Sequence, residues 1–88
     1  YEEKHNLIPA VVHVDGTARP QVVRKKDNPS LHSILNEYYK LTGIPVLINT
    51  SFNLHGEPIV YNPKDALKSF KFGAVDYLAI DKFIVNLK

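Results

Sequence analysis

Twice in this chain an Asn-Pro pair is followed by apolar residues at helical spacing and then by glycine, and this punctuation constrains the fold more than any other feature. Asn28 suits an N-cap because its carboxamide oxygen can accept an N–H that the first helical turn leaves free. Pro29 suits the first helical position, where its missing donor costs nothing. Leu31, Ile34, Leu35, Tyr38, Tyr39 and Leu41 recur at helical spacing, Gly43 closes the segment and Pro45 prevents its return. That stripe is expected to lie on a sheet, with the two tyrosines in the core or at its edge. Asn62-Pro63 opens a second helix, with Asp65 in its first turn, Ala66, Leu67 and Phe70 facing inward, and Gly73 at its end. The caps repeat, but no domain does.

Between and around the helices lie β-branched and apolar runs. Ala10–Val14 and Gln21–Val23, separated by Asp15-Gly16-Thr17-Ala18-Arg19-Pro20, read as a hairpin with an Asp-Gly turn. Ile44–Ile48 reads as a buried central strand, Pro58–Tyr61 as a short extended piece, and Asp76–Ile80 with Phe83–Leu87 as a closing hairpin around Asp81-Lys82. The expected order is β-β-α-β-α-β-β, an α/β or α+β two-layer fold in which a mixed sheet carries two helices. Residues 1–8 read as a tail or a connection from upstream sequence, and residues 9–88 as the domain. The chain has 88 residues, contains no methionine and begins at Tyr1, so it is expected to be a piece of a longer protein.

Composition narrows the function classes. There is no cysteine, hence no disulfide or thiolate metal site, as suits a reducing compartment. The net charge is only +2, and the densest basic stretch, Arg24-Lys25-Lys26, is followed at once by Asp27, so it reads as a solvated strand end and no nucleic-acid partner is expected. No apolar segment approaches the roughly 20 residues that span a bilayer, and no signal peptide is recognisable. A cytoplasmic domain with no membrane partner is the expectation. The four histidines, His5, His13, His32 and His55, show no ligand spacing, so no metal site is expected within these residues.

The polar cluster Asn49, Thr50, Ser51 and Asn53 follows the expected central strand and precedes Gly56 and Pro58. Such residues serve as Asx and ST turns, and they can also donate hydrogen bonds to an anionic or nucleotide ligand. Ser51 lacks the surroundings of a nucleophile elbow, and no Walker or dinucleotide-binding glycine pattern is present. Arg19, beside Thr17 and Pro20, can grip phosphate oxygens in a bidentate fork or serve as a surface arginine at a turn. If both features lie at one end of the sheet, Arg19, Thr50, Ser51 and Asn53 make a donor-rich pocket suited to a nucleotide phosphate.

Two motifs, His13-Val14-Asp15-Gly16-Thr17-Ala18-Arg19 and Asn49-Thr50-Ser51-Phe52-Asn53-Leu54-His55-Gly56-Glu57-Pro58, carry a resemblance to the C-terminal domain of the nodulation-type O-carbamoyltransferases. The second also resembles the Thr-Ser-Ala-Asn signature of the threonylcarbamoyl-adenylate synthases, which share that domain's fold. Phe52 stands where the synthase signature has alanine, so the carbamoyltransferase branch fits better. The resemblance runs from about Pro9 to Leu87.

That resemblance implies an enzyme, a carbamoyltransferase, of which this is the C-terminal fragment. It implies use of Mg²⁺–ATP and carbamoyl phosphate to form carbamoyl adenylate. The carbamoyl group then passes to a small-molecule hydroxyl in an absent, metal-containing N-terminal domain of the parent. Ser51 and Asn53 are then expected to hold the nucleotide or carbamoyl adenylate, Thr50 to support them and Arg19 to hold phosphate, with His13 and Asn49 as lesser candidates; no catalytic residue is assigned. The family's other basic nucleotide-binding residues precede this segment, so little or no turnover is expected of the 88 residues alone. The alternatives are a non-catalytic nucleotide-binding module and a structural domain in which the polar loop is turn chemistry only.

Overall fold

Unit 2, Thr50–Lys88, takes its shape from an amphipathic helix whose buried positions fall at i, i+3 and i+4. The computed structural model describes residues 2–87 and divides the chain into this unit and unit 1, Tyr1–Asn49. Helix α1 spans Pro29–Thr42, helix α2 spans Pro63–Lys71, and strands β1, Tyr77–Ile80, and β2, Phe83–Asn86, form a two-stranded antiparallel sheet.

Both helices start where their caps are written. The Asn28 Oδ1 accepts the Leu31 N–H at 3.1 Å, and the Asn62 Oδ1 accepts the Asp65 N–H at 2.9 Å. Each bond satisfies one of the donors that the first turn leaves free, and such a cap is worth about 1 kcal/mol. Helix α1 ends in Gly43 at φ 74, a left-handed conformation that a β-carbon would strain. Helix α2 closes with the Gly73 N–H on the Phe70 carbonyl and the Ala74 N–H on the Ser69 carbonyl, both at 3.0 Å, the paired bonds of a Schellman ending.

Ala66, Phe70 and Leu78 form the core of unit 2, and Phe52, Val60, Ile80 and Val85 pack against it half-buried. Leu78 comes from β1, whose register sets Leu78 opposite Val85 and Ile80 opposite Phe83. One face of the hairpin therefore lies on α2. Asp81 opens the two-residue loop at φ 52, the positive sign that primed hairpin turns require at that position. Leu67 is exposed and Ser69 is buried, the reverse of a reading by hydrophobicity alone: position 69, one turn below Ala66, points inward, and position 67 points aside.

The expected β-β-α-β-α-β-β order is not formed among the described residues. Glu2–Leu7, read as a tail, is a 3₁₀ helix, and Pro9–Val11 is a second one in place of the first strand. Residues 12–24 and 44–61 contain no strand. A strand is stabilised by a neighbouring ladder and a buried face, and no described residue of unit 1 is buried. β-Branched composition at Val11, Val12, Val22 and Val23 does not supply either. Helix α1 keeps its stripe but buries none of it; Ile34 is 57% and Leu41 84% exposed. Among the described residues no helix is long and apolar enough to cross a membrane.

This distribution of burial fixes the response to truncation. Phe70→Ala is expected to lower stability by about 3–5 kcal/mol and Ile34→Ala by less than about 1 kcal/mol. Urea unfolding of the 88-residue chain followed by tryptophan-free probes, such as tyrosine fluorescence and amide resonances, reads both; equal losses would contradict the core assignment.

Candidate functional site

The polar loop of unit 2 is built on a buried aromatic. Phe52 packs against the core, and its carbonyl accepts the Val60 N–H at 2.9 Å, with Val60 packed on the same core. Phe52 and Val60 thus close the neck of a loop. Inside it the Glu57 N–H donates to the Leu54 carbonyl at 3.0 Å, and Gly56 takes φ 80 to turn the chain. Outside it Lys68 Nζ of α2 lies 3.2 Å from Glu57 Oε1, tying the loop to the helix.

Asn53 locks the turn. Its Nδ2 donates to the Leu54 carbonyl at 3.1 Å and to the Glu57 carbonyl at 3.0 Å. Both partners are acceptors only, so the nitrogen must face them, and its two hydrogens are consumed. The Oδ1 remains as an acceptor. Asn53 can therefore receive a hydrogen bond from a ligand but has no carboxamide hydrogen left for a phosphate oxygen.

Thr50 and Ser51 are exposed and precede the anchored Phe52, so their hydroxyls are carried on backbone fixed one and two residues away. A hydroxyl donates one hydrogen bond and accepts two, which suits phosphate oxygens. Beside the loop runs a groove lined by Glu57, Ile59, Val60, Asp65 and Lys68. Its carboxylates outnumber its single lysine, which is already paired with Glu57, so this groove does not suit an anion.

Unit 1 holds the remaining predicted residues. His13 and Gly16 form a tight turn: the Gly16 N–H donates to the His13 carbonyl at 2.9 Å and the His13 N–H to the Thr17 carbonyl at 2.7 Å. Asp15 accepts the Thr17 hydroxyl at 2.7 Å and the Thr17 N–H at 2.9 Å. The hydroxyl bond, then the backbone bond, holds the Asp15 carboxyl below its ordinary pKa. Arg19 is exposed and forms no ion pair among the described residues, which leaves its guanidinium available. Asn49 is exposed at the end of the same unit. The structure thus gathers Thr50, Ser51 and Asn53 on one loop and leaves His13, Arg19 and Asn49 in unit 1.

No group of three or more His, Asp or Glu side chains that could hold a metal occurs among the described residues. Glu57 and Lys68 were not picked out from the sequence, although a glutamate directly after a turn glycine and a lysine on the following helix are residue types that such a tie needs.

A family model described as carbamoyltransferase C-terminus matches residues 1–87. An uncharacterised protein of Methanocaldococcus jannaschii is 44% identical over 99% of this chain and 14% of its own length. Nodulation protein NolO of Bradyrhizobium diazoefficiens is 44% identical over 97% of this chain and 16% of its own length. Nodulation protein U of Rhizobium tropici is 45% identical over 86% of this chain and 13% of its own length. The chain therefore spans about one-seventh of the curated relatives it matches. No solved structure matches it.

Two outcomes follow from the loop chemistry. Asn53→Ala removes one part-buried and one exposed bond to backbone carbonyls and is expected to cost about 1 kcal/mol, whereas Asn53→Asp sets a carboxylate against both carbonyls and is expected to cost more. Exchange of the Glu57 amide, faster in both variants and fastest in the aspartate, checks this. Because folding lowers the Asp15 pKa, its contribution is fully present above the unfolded value and is lost as pH falls through the folded value. The Thr17 amide resonance is expected to move over that acidic window and to stay put in Asp15→Ala.

Proposed function

From the premise that this chain belongs to the carbamoyltransferase C-terminus family, we propose that it is the C-terminal part of an O-carbamoyltransferase and that it helps to form carbamoyl adenylate from ATP and carbamoyl phosphate. The observation that carries the reading is the Thr50-Ser51-Phe52-Asn53 segment, in which two exposed hydroxyls and one free carboxamide oxygen are held by an aromatic anchored in the core. A preorganised donor set costs no rearrangement when charge develops on a phosphate.

In this proposal water first hydrolyses the O–P bond of carbamoyl phosphate to give carbamate and inorganic phosphate; a carbamate oxygen then bonds to the α-phosphorus of ATP as the bond from that phosphorus to the bridging oxygen breaks and pyrophosphate departs. The hydroxyls of Thr50 and Ser51 donate to phosphate oxygens, and the Arg19 guanidinium, which forms no ion pair among the described residues, grips a phosphate in its planar fork. Asn53 Oδ1 accepts from an N–H of the carbamoyl group or the base, the one role its geometry leaves open. His13 and Asn49 are assigned supporting places. Magnesium, which such a reaction requires as the ATP partner, finds no group of three or more carboxylates or imidazoles among the described residues. The donors present fit the phosphates rather than the cation, and no step is derived through it. The reading further assigns the transfer of the carbamoyl group to a small-molecule hydroxyl to the metal-containing remainder of the parent, and places the protein in the cytoplasm, where both phosphorylated substrates occur.

Pyrophosphate release by the full-length parent, dependent on both ATP and carbamoyl phosphate, is the test. Ser51→Ala is expected to reduce release about a hundredfold, as does removal of one donor to developing charge. ATP binding without pyrophosphate release by the folded wild-type parent would replace this reading with that of a nucleotide-binding module.

A further inference from the structure

The turn Leu54–Glu57 is hydrogen-bonded to itself and to Asn53, and by a single side chain to the rest of unit 2. The Glu57 N–H donates to the Leu54 carbonyl at 3.0 Å, and Asn53 Nδ2 donates to the Leu54 and Glu57 carbonyls at 3.1 and 3.0 Å. These bonds shape the turn without referring it to the core. The neck at Phe52 and Val60 does that at one end only. At the far end the Glu57 carboxylate accepts from Lys68 Nζ at 3.2 Å, across eleven residues of chain. Every other side-chain hydrogen bond among the described residues spans four residues or fewer.

Lys68 is a firm post for such a tie. It directly precedes Ser69 and Phe70, which are 3% and 2% exposed, and its own carbonyl accepts the Phe72 N–H at 3.1 Å. Its backbone is therefore fixed by the core. Asp65, one turn earlier on α2 and beside the same groove, forms no ion pair with Lys68 among the described residues, so the ammonium is directed to Glu57. Both side chains of the pair keep contact with solvent, and a pair of that kind adds little to stability. Its consequence is geometric. With the carboxylate tied to α2 the Glu57 carbonyl has a fixed place, and that carbonyl decides where the Asn53 carboxamide turns its free oxygen.

We propose that Lys68 is a positioning residue for the polar loop: its ion pair with Glu57 holds the Leu54–Glu57 turn to α2 and thereby aims Asn53 Oδ1 at the substrate. Neither Lys68 nor Glu57 touches substrate in this scheme. The role rests on the proposed adenylate-forming reaction, in which Asn53 Oδ1 accepts from a substrate N–H. A displacement of about 1 Å in a group that orients substrate can cost on the order of a hundredfold in rate, so a tie remote from the reacting atoms can govern turnover.

The test is kcat/KM for pyrophosphate release by the full-length parent, supplied with ATP and carbamoyl phosphate, in Lys68→Met, Glu57→Gln, the double variant and Lys68→Arg. Lys68→Met and Glu57→Gln are each expected to lose about tenfold, and the double variant no more than about twofold beyond either, because both remove one tie. Lys68→Arg, which keeps the pair, is expected to stay within about twofold of wild type and so to separate lost positioning from lost folding. Full activity in Lys68→Met would overturn the proposal. So would unchanged or raised activity in Glu57→Gln, or losses that multiply in the double variant, since Lys68 would then act on the phosphates itself. A folded wild-type parent that releases no pyrophosphate would overturn the reaction and this role together, and that failure shows in the wild type before any variant is made.

Discussion

Burial of the Phe70 ring is the interaction on which the organised half of this molecule depends. The ring is 2% exposed, between Ala66 on its own helix and Leu78 on the neighbouring strand. Everything later assigned to the polar loop is referred to it: Phe52 packs on the same cluster, and through Phe52 the position of Ser51 and the closure at Val60 are set. Three buried apolar side chains make a small core, so each carries a large share of the stabilisation. Among the described residues, unit 1 has a capped helix and a stapled turn without a comparable centre.

The helices were legible because their signals are local. Asn28, Pro29 and Gly43, or Asn62, Pro63 and Gly73, act within one turn of chain, and the observed ends follow them. The closing hairpin was legible for a similar reason, since a two-residue loop fixes register without distant help. The strands expected at Ala10–Val14, Gln21–Val23 and Ile44–Ile48 required partners that local sequence cannot supply. Pro9 and its neighbours instead took the short 3₁₀ turn open to them.

The candidate site was legible in residue type but not in function of atoms. Thr50 and Ser51 have the exposure that a donor role asks for. Asn53 looked equivalent to them, yet the Leu54–Glu57 turn claims both of its carboxamide hydrogens. No spacing rule distinguishes an asparagine that binds from one that braces, because the difference lies in where the next four residues bend. Phe52 stands out in the sequence only as a departure from the synthase signature, and its packing makes it the anchor of the loop.

Gly56 shows how such a loop limits sequence change. A β-carbon there would meet nothing within 4 Å, yet the residue sits at φ 80. Space is free while the backbone torsion is not. Replacements at this position are therefore sorted by their tolerance of the left-handed region and not by volume: alanine fares nearly as badly as leucine, while asparagine and aspartate are the mildest. A sequence survey that found large residues elsewhere in the loop but only glycine, asparagine or aspartate at this position would carry the imprint of a single dihedral angle.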